Sequence, residues 1–225
     1  RTAVFVKGCP LSCKWCHSPE SQKKTPTLLY QKVRCTACLR CMNTCKNGAI
    51  TQDLTDPDQP GIVIDRKKCI GCFSCAKGCY FKALRVSGRE WDAEALANKA
   101  ASDLPFFENS GGGVTISGGE PLMQAEFCRE VFELCHKEGI NTCLDTSGVV
   151  LNDTVKQLLK ATDRVLLDIK YTDDNLYQNN VGCSLDAPLE FLAYLNKAGI
   201  PTTVRQVIIP TVNDTEQNAL ALKEI

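Results

Sequence analysis

Net charge, a long apolar run and an initiating methionine are all missing from this sequence. Its 26 Lys and Arg are balanced by 26 Asp and Glu, so the basic patch or stripe of a nucleic-acid-binding domain is not there. A small molecule or another protein is the expected partner. No apolar stretch approaches the roughly 18 to 20 residues of a membrane helix, and no charged, apolar, small-residue leader opens the chain. A soluble, cytoplasmic protein with no membrane partner is expected. The glycine run Gly111–Gly113 has no Gly-Lys-Ser/Thr after it, which excludes a P-loop. The chain starts RTAVFVKG and stops at ALKEI in mid-helix, so both ends are expected to lie inside a longer protein.

Cysteine, by contrast, is abundant: 15 residues, an odd number, with no secretory signal. Grouped as they are, they fit metal ligation better than disulfides. Cys9, Cys13 and Cys16 form one group, Cys35, Cys38, Cys41 and Cys45 a second, and Cys69, Cys72, Cys75 and Cys79 a third. Cys128, Cys135, Cys143 and Cys183 have no ligand spacing around them. Cys128 and Cys135 share a face of a predicted helix and read as small buried hydrophobes.

The second and third groups are an internal repeat with a constant offset of 34 residues. Each has the C-x2-C-x2-C-x3-C spacing of bacterial ferredoxins, in which three thiolates of one run and the fourth of the other hold each [4Fe-4S] cluster. That pattern assigns Cys35, Cys38, Cys41 and Cys79 to one cluster, and Cys69, Cys72, Cys75 and Cys45 to the other. The proline that often follows the fourth cysteine is Lys46 in one run and Tyr80 in the other, which removes no ligand. Zinc is the competing occupant, but its paired knuckles match three close cysteines plus a distant fourth poorly.

Outside the cysteine runs the chain alternates short apolar stretches with helical patterns. Strands are expected at TAVFVKG, GVTISG, INTCLD, RVLLDIK and PTTVRQVIIP. Helices are expected near 91–104, 124–138 and 152–160, in a stretch ending near Lys197, and at the end of the chain. That alternation implies a parallel sheet covered by helices, an α/β fold. A ferredoxin-like unit is inserted after the first strand, with the Pro/Asp/Gly loop Thr55–Gly61 between its halves.

The first group poses a different problem. Three thiolates on a [4Fe-4S] cube leave one iron without a protein ligand, as catalytic metal sites keep a position open. The C-x3-C-x2-C spacing after a first strand, with Ser117-Gly118-Gly119-Glu120-Pro121 further on, resembles the radical S-adenosylmethionine (SAM) enzymes. More narrowly, the chain resembles glycyl radical enzyme activating enzymes, of the pyruvate formate-lyase activating type that carry a ferredoxin-like insert. The matching stretches are RTAVFVKGCPLSCKWCHSPE, the eight-cysteine insert, SGGGVTISGGEPLMQ, LDTSG, LLDIKY and VRQVIIPTVND.

The resemblance implies a partial, TIM-like (β/α)6 barrel over residues 1–29 and 85–225, with the bacterial ferredoxin-like insert at 30–84 and a sixth strand beyond Ile225. It implies three [4Fe-4S] clusters, SAM and a monovalent cation as cofactors. The expected partners are a large glycyl radical enzyme and a flavodoxin or ferredoxin electron donor, acting on a monomer. In such enzymes Cys9, Cys13 and Cys16 would hold the SAM cluster. Trp15 and His17 would flank the adenine, and the main chain of Gly118, Gly119 and Glu120 would receive the methionyl amino group. Asp145, Thr146, Ser147, Asp168 and Ile169 end two strands where barrel enzymes place their chemistry. Asp145, Thr146 and Asp168 would line the cation site, with Lys170 a charge partner at the catalytic centre. Arg205 would pair with an acid or the SAM carboxylate, and Val207 would pack on adenine. A radical SAM enzyme acting on a small molecule and a ferredoxin-type electron carrier are the alternatives. The carrier leaves the three-cysteine group unexplained.

Overall fold

A computed structural model describes all residues, 1–225. In chain order the strands are β1 (Thr2–Val6), β2 (Thr27–Tyr30), β3 (Ile50–Asp53), β4 (Gly61–Ile64), β5 (Leu84–Ser87), β6 (Gly113–Gly118), β7 (Asn141–Thr146), β8 (Arg164–Asp168) and β9 (Thr202–Arg205). The helices are α1 (Arg40–Thr44), α2 (Ser74–Lys77), α3 (Ala93–Ala101), α4 (Leu104–Ser110), α5 (Ala125–Lys137), α6 (Asp153–Lys160), α7 (Asp174–Val181), α8 (Asp186–Ala198) and α9 (Glu216–Glu224). The chain divides into two compact units, Arg1–Lys24 with Glu90–Ile225, and Thr25–Arg89.

The larger unit is built on a five-stranded sheet in the order β1-β6-β7-β8-β9. Every pairing in it is parallel. The order follows the sequence without a reversal, the strand order of an opened (β/α) barrel rather than of a doubly wound sheet. Strand residues Val114, Ile116, Leu144, Val165 and Leu167 are fully buried in one core with Val131, Phe132, Leu158, Phe191 and Leu195 of the helices. On α5 the buried positions Cys128, Val131, Phe132 and Cys135 follow the i, i+3, i+4, i+7 stripe of a helix laid on a core. Side-chain caps start the helices, with Asp92, Asn152, Asp173 and Thr215 each accepting a main-chain N–H three residues on.

Three elements differ from the sequence expectation. The stretch at 91–104 is α3 followed by a separate α4, which carries Pro105 in its first turn. The stretch ending near Lys197 is two helices. Gly182, at φ +90°, stops α7, and Asp174 accepts from Leu185 N at 2.8 Å and Ser184 Oγ at 3.1 Å to shape the turn into α8. The last strand leaves the sheet after Arg205, because Asn213 holds the following residues in a loop. Its Oδ1 accepts from Ile209 N at 2.6 Å and its Nδ2 donates to Val207 O at 2.9 Å.

The smaller unit is two antiparallel pairs, β2 with β5 and β3 with β4, around a core of Leu28, Ile50, Ile62, Cys75, Ala76 and Leu84. The 34-residue offset governs its structure as well as its cysteines. β2, the start of α1 and β3 recur 34 residues later as β4, the start of α2 and β5. The register Thr27↔Ser87 in one ladder is matched by Asp53↔Gly61 in the other, and Tyr30↔Leu84 by Ile50↔Ile64. Each half thus lends a strand to the other, an approximate two-fold relation.

Candidate functional site

The C-terminal ends of the parallel strands gather the expected residues at one edge. Val6 is level with Gly118 in the register of β1 and β6, and Asp168 with Arg205 in that of β8 and β9. Past β1 the chain turns at Gly8, at φ +99°, and enters the three-cysteine loop. That loop is tied at both ends. Gly8 N donates to Ser21 O at 2.7 Å and Cys9 N to Gln22 O at 3.0 Å, while Ser12 N and Lys14 N donate to Val181 O and Asn180 O at 2.9 and 3.0 Å. The carbonyls that α7 cannot satisfy within itself therefore clasp the loop. No spacing in the sequence marks this clasp, because α7 and α8 read there as one helical stretch.

The three thiols are near enough to act on one another electrostatically. Burial is the main cause that pushes Cys9 up to about 11, with Glu120, Cys13 and Cys16 adding to it. Cys13 is raised chiefly by burial too, and the Lys170 ammonium pulls it back. Lys170 Nζ also stands 3.4 Å from Asp168 Oδ2. Trp15 meets Tyr171 edge to face, the ring centroids 5.2 Å apart. His17 is exposed, with Nε2 3.5 Å from Ser18 Oγ.

Gly118 and Gly119 are required by the protein's own backbone. A Cβ on Gly118 would lie 2.3 Å from Val6 O, and one on Gly119 2.4 Å from Gly8 O. Gly119 N and Glu120 N donate to Val6 O and Gly8 O, both at 2.8 Å, so the Gly-Gly-Glu turn is stitched to the entrance of the cysteine loop.

Glu120 turns its side chain inwards. It is 1% exposed and accepts from Thr146 Oγ1 at 2.5 Å, Leu122 N at 3.1 Å, Ser147 N at 2.9 Å and Ser147 Oγ. Burial raises its carboxyl above the usual range, against the pull of Ser147, Thr146 and Leu122. Thr146 and Ser147 are correspondingly buried, and their polar atoms serve Glu120 rather than the open edge.

The remaining expected residues have partners within the protein. Asp145 and Asp168, expected to line a cation site with Thr146, are bridged by Arg205, which was expected to pair with an acid: Nη2 lies 2.5 Å from Asp145 Oδ1 and 2.8 Å from Asp168 Oδ1. Their charges are met by a guanidinium, and the Thr146 hydroxyl is engaged elsewhere. Burial raises the Asp145 carboxyl, with Arg205 opposing and Asp168 reinforcing. Ile169 is fully buried, because alternation along the chain sends it into the core between Asp168 and Lys170, and its N–H donates to Arg205 O at 2.9 Å. Val207 is 46% exposed in the loop held by Asn213, a buried residue that sequence reasoning left without a role.

In Thr25–Arg89 two open cavities are each lined by residues of both halves. Cys35, Cys38, Cys41 and Cys79 line the first, and Cys45, Cys69, Cys72 and Cys75 the second. The two-fold relation carries one set onto the other. It extends to strained backbone, since Ala37 and Gly71, Leu39 and Phe73, and Gly48 and Lys82 are pairs 34 apart that all have φ between +51° and +69°. A left-handed non-glycine residue costs on the order of 1–3 kcal/mol. Successive N–H groups in such turns form concavities suited to anions, iron–sulfur groups included. Ala49 N and Leu84 N donate to Cys45 Sγ and Cys79 Sγ, each at 3.4 Å. The four thiols of each set line one shared cavity.

A family model described as the radical SAM superfamily matches residues 70–222. The chain is 35% identical over 225 residues to the 4-hydroxyphenylacetate decarboxylase activating enzyme of Clostridioides difficile (strain CD196), covering 97% of this chain and 70% of that one. It is 36% identical over 228 residues to the isethionate sulfite-lyase activating enzyme of Nitratidesulfovibrio vulgaris, covering 99% and 73%. With the (2S)-3-sulfopropanediol dehydratase activating enzyme of Klebsiella oxytoca it shares 36% identity over 225 residues, covering 97% and 69%. Likeness of that extent, along almost all of the chain, makes this protein a member of the radical SAM superfamily and, within it, of the activating enzymes that generate a glycyl radical with SAM.

Proposed function

We propose that Cys9, Cys13 and Cys16 hold the [4Fe-4S] cluster that binds SAM, and that Thr25–Arg89 is a ferredoxin-like insert with two further clusters on the crossed cysteine sets. One observation carries this reading: each insert cavity is walled by three cysteines of one half and the fourth of the other. When bound, cluster and SAM supply an electron and a 5′-deoxyadenosyl radical, which removes hydrogen from a glycine of the partner enzyme.

The chain's own residues hold and orient these groups. The clasp from Asn180 and Val181 fixes the cysteine loop above the strand ends. Gly118 and Gly119, stitched to Val6 and Gly8, keep main chain beside that loop free of side-chain bulk to meet the methionyl amino group. Lys170 keeps a positive charge facing Cys13. Arg205, pinned by Asp145 and Asp168, holds a fixed cation at the edge for the SAM carboxylate, and Trp15, His17 and Val207 border the adenine side. Electrons arrive from a flavodoxin or ferredoxin through the insert.

Anaerobic reconstitution tests the reading. Close to twelve irons and twelve sulfides per chain are expected from eleven cysteine ligands, with 5′-deoxyadenosine formed from SAM and dithionite. Cys13→Ala should abolish deoxyadenosine formation and keep about eight irons. Bound zinc without acid-labile sulfide refutes the cluster assignment, and activity at the parent rate in Cys13→Ala refutes the choice of active cluster.

A further inference from the structure

Overall neutrality conceals a division of charge. Thr25–Arg89 has eleven Lys and Arg against four Asp, while the rest of the chain has fifteen basic residues against twenty-two acidic ones. Within the basic unit most of the acids are already matched. Lys32 lies 3.8 Å from both Asp53 and Asp56, and Lys68 lies 3.9 Å from Asp65.

The two cysteine-lined cavities differ in how this charge is placed. Arg34 and Arg40, both exposed and without an acidic partner, line the first cavity together with Phe81, which is 51% exposed. Their counterparts 34 residues on are Lys68, engaged with Asp65, and the uncharged Ser74. Only Lys46 brings a positive charge to the second cavity. Cys38 of the first set and Cys72 of the second are both exposed, so the cover over each cavity is thin and the charge alone separates them.

Resting on the reading that the first cavity holds an iron–sulfur cluster, we propose that its rim, Arg34, Arg40 and Phe81 around Cys38, is the docking surface for an acidic one-electron carrier protein. The two guanidiniums attract the carrier and Phe81 gives the contact a dry centre, the pattern of a small, transient interface. A cluster held by Cys35, Cys38, Cys41 and Cys79 would take one electron from the reduced carrier, with no bond made or broken and no proton moved. The second cavity, with a single lysine, is not the point of entry.

The test compares deoxyadenosine formation driven by a reduced acidic flavodoxin with that driven by dithionite, using holoenzyme of matched iron content. Arg34→Glu/Arg40→Glu should raise the flavodoxin KM at least about tenfold at low salt, within the range of electrostatic steering. The difference should close near 1 M salt, where the Debye length is about 3 Å. The milder Arg34→Gln/Arg40→Gln should move KM the same way by less, and Phe81→Ala should raise it at every salt concentration. Lys46→Glu should change it by less than about threefold. An unchanged KM in the arginine variants, an equal effect from Lys46→Glu, or tighter binding of duplex DNA than of flavodoxin overturns the proposal. If the parent protein makes no deoxyadenosine with either reductant, the cluster reading falls first and this one with it. Product with both reductants at an unaltered ratio sinks the docking surface alone.

Discussion

Replacing Glu120 by glutamine asks what one buried carboxylate does. Its two oxygens take four donors: Thr146 Oγ1 and Leu122 N on one, Ser147 N and Ser147 Oγ on the other. An amide puts an NH2 group where one of those oxygens was. Hydroxyls can turn and accept from it, but a main-chain N–H cannot. Whichever way the amide sits, either Leu122 N or Ser147 N is left buried without an acceptor, at a cost of about 1–3 kcal/mol. In a chain of 225 residues that lowers Tm by roughly 2–12 °C. The effect also depends on pH. Because burial holds the Glu120 carboxyl above its usual range, the group supports folding most when protonated, below its unfolded value of about 4.3. That support is lost as pH rises through the folded value. Glutamine does not titrate, so the Tm gap between parent and Glu120→Gln should narrow as pH rises above about 4.3. Thermal unfolding of the anaerobic apoprotein across that range reads both quantities. A shift under about 1 °C refutes the account of Glu120 as a buried four-donor acceptor, and a gap that widens with rising pH refutes burial as the influence that governs its carboxyl.

Gly182→Ala would force a side chain into a backbone at φ +90°, with its Cβ 2.5 Å from Ser12 Oγ. The clasp on the cysteine loop should loosen, and a chelator should strip iron from that site faster than from the insert. Equal rates of loss would mean the clasp does not hold the loop. Asn213→Ala removes bonds of 2.6 and 2.9 Å, a loss of about 1–3 kcal/mol. Freeing the loop that carries Val207 should raise the SAM KM more than it lowers kcat, and a pure fall in kcat would contradict that role. Cys38→Ala should slow activation driven by a protein electron donor more than activation driven by a strong chemical reductant. Equal slowing under both, with a lower Tm, would make the insert clusters structural rather than a relay.

What the sequence carries openly is whatever short-range spacing encodes. The cysteine sets, the parallel strands and the buried face of α5 follow from offsets of a few residues, and the two halves of the insert from a single offset of 34. What it hides is which side chains meet once the sheet is assembled. Glu120 finds Thr146 and Ser147 across two strand ends, and Arg205 finds Asp145 and Asp168 from 60 and 37 positions away. No local pattern marks those meetings. The break between α7 and α8 was missed for the opposite reason, because it rests on one glycine in a stretch otherwise helical by composition. The Gly118-Gly119 pair was legible as a site of close approach, but the nearest approach proves to be that of β1 and Gly8.

The crossed walls of the insert cavities also set an order of events during synthesis. As the chain leaves the ribosome, Cys35, Cys38 and Cys41 emerge together with the left-handed turns that shape their loop, yet their cavity has no fourth wall until Cys79 appears. Cys45, the next thiol out, waits in turn for Cys69, Cys72 and Cys75. The second cavity is therefore complete at Cys75 and the first only four residues later. A nascent chain stalled before Cys75 exposes unpaired thiols and can close neither cavity, whereas one that passes Cys79 can close both almost at once. On the proposed cluster assignment, iron delivery to the insert is a late, nearly concerted event, and a fragment that ends before Cys69 should collect none there.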